Sequence, residues 1–203
     1  MASTLTTPII GQPVRPRWFT PTRVVRLLLA AVVIAAGVAI MFYNDVIRHA
    51  EAALVALVAN PFTDGGARSA GDAIFFKSAD GPYDVALIIT EQCSVFVMLG
   101  PFLMLLGLLL GVTRVHPVRW LTAVLVGATA LVVVNEARLW FIVASTHTWG
   151  EHPGYELSHG FIGSAFGVLG FVIAMIVALV IIAPRNRVTR ALTRGRRRAT
   201  PVA

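Results

Sequence analysis

The sequence predicts an all-α, multi-pass transmembrane bundle of about four spans, with an outer interfacial helix and a short β-like extracellular segment. Three observations point there. The 203 residues are 57% hydrophobic and 13% charged, with a mean hydropathy of +0.77. That charge is well below the roughly 25% of a soluble domain. Four segments, 27–43, 95–112, 120–146 and 159–183, reach or approach the roughly 20 apolar residues that a helix needs to cross a bilayer core. The third observation is where the charges fall.

The formal charge is +7, and sixteen of the seventeen basic residues are arginine. Arg15, Arg17, Arg23 and Arg26 precede the first span, and Arg114 and Arg119 separate the second from the third. Arg185, Arg187, Arg190, Arg194, Arg196, Arg197 and Arg198 follow the fourth. With four spans all three groups lie on one side, which the positive-inside rule makes cytoplasmic. Asp45, Glu51, Asp64, Asp72, Asp80, Asp84 and Glu91 fall between spans one and two, and Glu151 and Glu156 between spans three and four. Only Glu136 lies within a span. A basic chain arranged this way reads as a plasma-membrane protein with both termini inside, not as a nucleic-acid binder.

The elements follow in order. Residues 1–26, Thr/Pro-rich and basic, read as a disordered cytoplasmic tail, and 27–43 as span one. That span is too long in its apolar part, and lacks the cleavage pattern, for an ordinary cleaved signal peptide. Residues 44–92 form an extracellular loop. Within it Val46, Ile47, Ala50, Ala53, Leu54, Leu57 and Val58 share a helical face, giving a helix on the interface or over the bundle that Asn60-Pro61 ends. Two β-prone runs flank Asp80-Gly81-Pro82, a hairpin or extended pair that must sit in water or inside protein. Residues 93–183 form a membrane core with spans 95–112, 120–146 and 159–183, and 184–203 form a polybasic tail suited to anionic lipid. Gly100, Gly107 and Gly111 repeat at helical spacing with Cys93, and Gly160, Gly163, Gly167 and Gly170 make a second stripe. Such stripes let helices pack closely in lipid, and the first is expected to turn Cys93 inward.

Three reactive side chains converge by topology. Arg138 lies 18 residues after Trp120 on a span running outward, about 27 Å along a helix and near the outer edge of the membrane core. Cys93, the single cysteine, stands at the outer entrance of span two, and His159 opens span four. Taken singly, each has an ordinary structural explanation. Together they form a candidate catalytic set, because an ionisable group within a span is costly unless it serves a purpose.

The pieces TEQCSVF, NEARLWF and SHGFIGSAFG carry a resemblance to the exosortase/archaeosortase family of membrane cysteine transpeptidases. It spans residues 85–170 and matches Cys93, Asn135 with Arg138, and His159 in the family's order. Many members are longer, and Val95 stands where the family usually has glycine. The resemblance implies cleavage of C-terminal sorting signals of exported, membrane-anchored proteins through a thioester, with no cofactor and no metal. Cys93 is then the nucleophile, His159 the proton carrier and Arg138 the oxyanion stabiliser. Asn135, Ser94 and Glu91 are supporting candidates; Asn135 either orients Arg138 or a substrate carbonyl, or makes an ordinary interhelical hydrogen bond. Glu136, two residues before Arg138, points away from it, and His147, Glu151, His152 and Glu156 match no metal-ligand spacing. The alternative is a non-enzymatic membrane partner for envelope proteins. An anion transporter fits poorly, because four short spans carry no paired broken helices.

Overall fold

A computed structural model describes residues 21–183 apart from 65, 82, 83 and 114. Most of the N-terminal tail and the polybasic segment 184–203 lie outside the described residues. The elements are α1 (Pro21–Phe42), α2 (Asn44–Ala59), β1 (Arg68–Ala70), β2 (Ala73–Lys77), β3 (Asp84–Ile88), α3 (Phe96–Val112), α4 (Pro117–Trp149) and α5 (Gly163–Ile182). Two wide turns, Gly150–Tyr155 and Ser158–Ile162, join α4 to α5.

Among the described residues, three helical runs are long and apolar enough to cross a membrane: Pro21–Phe42, Pro117–Tyr155 and Ser158–Ile182. The expected second span, Phe96–Val112, is apolar but only 17 residues long. The helices pair as α1 with α3 and α4 with α5, while α3 and α5 barely touch. Where α3 and α4 meet, the Phe102 ring fills the place a side chain on Gly127 would take. Phe102, Leu106, Leu110, Trp120, Leu131, Ala174 and Ala178 form the core of the bundle.

Arginine holds one end together. Arg26 donates to Leu110 O at 3.1 Å, and Arg119 donates to Ile181 O and Ala183 O at 2.8 and 2.7 Å. Each cation thus covers a helix C-terminus, where carbonyls lack partners and the dipole is negative.

The other end carries α2 and a three-stranded antiparallel sheet, ordered β1-β2-β3. The two β-prone runs become β2 and β3, paired from Lys77 opposite Asp84 to Ala73 opposite Ile88. The unforeseen strand β1 pairs Arg68–Ala70 with Ala73–Phe75. Ile74, Phe76 and Leu87 point down onto Ala52, Val55, Ala56 and Ala59 of α2 and Leu139, Ile142 and Val143 of α4.

One expectation about a face needs correction, and it concerns α3. On α2, for which a place on the interface or over the bundle was expected, the face of large residues turns outward, with Val46 and Leu57 67% and 71% exposed, while Ala52, Val55, Ala56 and Ala59 are buried. Small residues permit the close approach, and the bulky ones are left for an apolar surrounding. On α3 the glycine stripe faces α1: the Cβ of an alanine at Gly100 would meet Met41, and at Gly107 it would meet Ile34. Cys93 does not share that direction, because it lies in a one-turn 3-10 helix (Glu91–Cys93) ahead of α3. The helical phase that would link the two is broken by extended Ser94 (φ −86°, ψ 149°).

Candidate active site

The connection from β3 to α3 makes the reactive turn. Thr90 is extended, the Cys93 N–H donates to Thr90 O at 2.9 Å, and Val95 starts the helix. Val95 adopts φ −61°, ψ −24°, an ordinary right-handed conformation, so this position has no need of a glycine. Cys93 is buried, with its sulfur at the rim of a cavity of about 550 Å³.

Two elements bring side chains to that sulfur. His159, in the turn before α5, has Nδ1 3.6 Å from Cys93 Sγ. Arg138 of α4 has Nη2 3.8 Å from the sulfur and Nη1 3.5 Å from Gln92 O. The Tyr155 ring lies parallel to the His159 imidazole, centroids 4.9 Å apart, and so fixes its plane. A sulfur between an imidazole and a guanidinium is placed to lose its proton to the first and keep its negative charge beside the second.

Gly163 makes room for the arginine. The Cβ of an alanine there would come within 3.0 Å of Arg138 Nε and 2.8 Å of Ser158 O. Because the second neighbour is backbone, the turn carrying His159 must shift as well. Gly163→Ala is therefore expected to slow alkylation of Cys93 by iodoacetamide about tenfold, while the amount of inserted protein stays near normal. An unchanged labelling rate would show that the glycine merely packs.

Of the supporting candidates, Ser94 and Asn135 are buried but serve a different partner, Glu51 of α2. Glu51 Oε1 accepts from the Val95 N–H at 2.8 Å and from Asn135 Nδ2 at 2.7 Å, and Oε2 accepts from the Ser94 hydroxyl. Asn135 thus makes an interhelical bond, with no contact that orients Arg138. Glu91 is exposed and takes part in the turn through its backbone carbonyl, so its carboxylate is no member of the cluster.

Glu51, 4% exposed, is the residue that sequence reasoning missed. It ties α2, the reactive turn and α4 together, and it covers an open N–H at the start of α3. Burial pushes its carboxyl above the ordinary carboxylate range; the hydrogen bonds from Ser94, Val95 and Asn135 and the charge of Arg138 pull the other way. The available signal was its place in the small-residue face Ala52, Val55, Ala56 and Ala59.

The four connecting-loop residues stay off the site. His147 bonds Lys77 O at 2.7 Å, His152 pairs with Glu156 at 3.0 Å on an exposed turn, and the Glu151 N–H donates to Asp80. Among the described residues no three His, Cys, Asp or Glu side chains are grouped to hold a metal ion.

Compared with profiles of protein families, with curated proteins and with solved structures, the chain matches none.

Proposed function

We propose that the protein is a membrane-embedded, exosortase-like cysteine transpeptidase or protease that cleaves C-terminal sorting signals of exported proteins through a thioester. One observation carries the reading: Cys93 Sγ lies 3.6 Å from His159 Nδ1 and 3.8 Å from Arg138 Nη2, at the rim of a cavity. The surroundings support it. The cavity runs from the sulfur between α3 and α5, past Val97, Met98 and Pro101 on one side and Val168, Phe171 and Val172 on the other. Such an opening suits an apolar tail arriving from the lipid. The arginine-capped end of the bundle faces the cytoplasm in this reading, so α2, the sheet and the site face outward, with α3 as a short fourth span.

The chemistry balances with these groups alone. His159 takes the Cys93 proton, and Sγ bonds to the peptide carbonyl carbon beside Arg138, which stabilises the oxyanion. The C–N bond then breaks, and the leaving amine takes the proton back from His159. An acceptor amine or water attacks the thioester and regenerates the thiol.

Iodoacetamide tests the activation of the sulfur without a substrate. Cys93 is expected to label about tenfold faster in the wild type than in Arg138→Ala or His159→Ala, because each variant removes a group placed to take the thiol proton or to stabilise the thiolate that reacts. Equal rates in all three, with lower protein abundance in the variants, would favour a non-enzymatic assembly partner instead.

A further inference from the structure

Among the described residues, the strand that leads into the reactive turn has an unused edge: β3 pairs only with β2, on the opposite side from this edge. The Ile89 N–H donates to Asp72 O at 2.9 Å, so Ile89 belongs to a hydrogen-bonded pair. Hydrogen-bonded pairs alternate along an antiparallel ladder. The register then assigns Leu87 and Val85 to bonds with β2, and Ala86 and Ile88 direct their N–H and C=O groups away from it. Among the described residues nothing takes those four groups. Ile88 is also 57% exposed, although it is a large apolar residue beside the site.

A second cavity, about 460 Å³, runs along this edge. Four consecutive residues, Val85 to Ile88, line it. Side chains of a strand alternate between faces, so four in a row border one space only along the backbone edge. Tyr155 also lines the groove, and its ring stacks on that of His159. The groove along β3 and the sulfur are therefore neighbours across one pair of rings. Thr90, which also lines the groove, is three residues from Cys93.

We propose that this groove binds an extended polypeptide as a fourth strand on β3, through the backbone groups of Ala86 and Ile88. The occupant is the stretch of substrate that enters the site ahead of the cleaved bond, so the inference rests on the function proposed above. It runs parallel to β3, because an exported chain with its tail in the membrane and β3 itself both head toward Cys93. Main-chain bonds supply affinity largely independent of sequence, and alternate side chains meet the walls. The same arrangement explains why an exposed edge, ordinarily an aggregation hazard, stands next to the reactive turn.

The test uses the full-length protein in detergent and two sets of acetylated hexapeptidyl chloromethyl ketones of mixed sequence, long enough to extend about 20 Å. One set has free amides; the other is N-methylated at every internal amide. In the wild type the free-amide set is expected to alkylate Cys93 about tenfold faster, as loss of one or two strand hydrogen bonds implies. In Ala86→Pro and Ile88→Pro, which remove an N–H that β2 does not use, the ratio is expected to fall toward one. Their iodoacetamide rates should remain those of the wild type, which also reports an intact fold. Equal rates for the two sets in the wild type would overturn the proposal, as would an undiminished ratio in both proline variants with unchanged iodoacetamide labelling. Neither result touches the catalytic reading, which stands or falls on the iodoacetamide rates of Arg138→Ala and His159→Ala.

Discussion

Cys93→Ala is expected to lower the rate of tail cleavage by a factor on the order of 10⁴ or more, while the protein still inserts in normal amount. In the proposed mechanism the thiol forms the covalent intermediate, and removal of a nucleophile leaves little beyond binding and oxyanion stabilisation. Its side chain is 3% exposed and packs with Leu139, Ile142 and Val143, so alanine costs a small volume and the two long sulfur contacts with His159 and Arg138. The measurement is the fraction of a tailed precursor shortened over time, followed by gel mobility in reconstituted vesicles. Processing at the wild-type rate by the alanine variant would end the catalytic proposal.

Glu51→Ala should give the largest loss of stability. It strips the acceptor from the Ser94 hydroxyl, the Val95 N–H and the Asn135 amide together. A buried donor left unsatisfied costs about 1–3 kcal/mol, so a loss of about 3 kcal/mol or more is expected after partial relaxation. Glu51→Gln keeps one oxygen for Val95 and Asn135, and the Ser94 hydroxyl can turn to accept from the new amide. It should therefore cost much less, and Cys93 labelling should fall steeply only in the alanine variant.

The same carboxyl makes stability depend on pH. Its pKa is raised by burial above the ordinary carboxylate value, so between those two values the folded chain holds a proton that the unfolded chain has lost. The stabilisation is fully present below the ordinary value and disappears as pH rises through the raised one. Measured against Glu51→Gln, which does not titrate there, the wild-type melting temperature should fall with rising pH across that window. A difference independent of pH would mean that the carboxyl is not shifted in the folded state.

Much of the architecture was legible because long apolar helices leave simple marks in a sequence. Apolar length and arginine placement located the helices and their common end, and turn chemistry at Asp80-Gly81 separated the two longer strands. The triad candidates were legible as well, since Cys93, Arg138 and His159 stood out by residue type and by their positions along helices that alternate in direction. The large-residue face of α2 was legible, but amphipathicity marks the apolar side without saying what covers it, so the sequence left its place on the interface or over the bundle open. Cys93 is buried as expected, but its shared face with the glycine stripe was misread because a 3-10 turn and an extended serine interrupt the helical phase.

Sequence alone determined where chains of apolar residues become helices and which reactive groups share one end of the bundle, since length and periodicity are local quantities. Tertiary structure alone decided that Glu51, from a separate helix, would gather Ser94, Val95 and Asn135, and that the β3 edge would remain unpaired among the described residues beside Tyr155. Both depend on distances between segments far apart in the chain, and a buried carboxylate or a strand edge acquires its partners only when those segments pack.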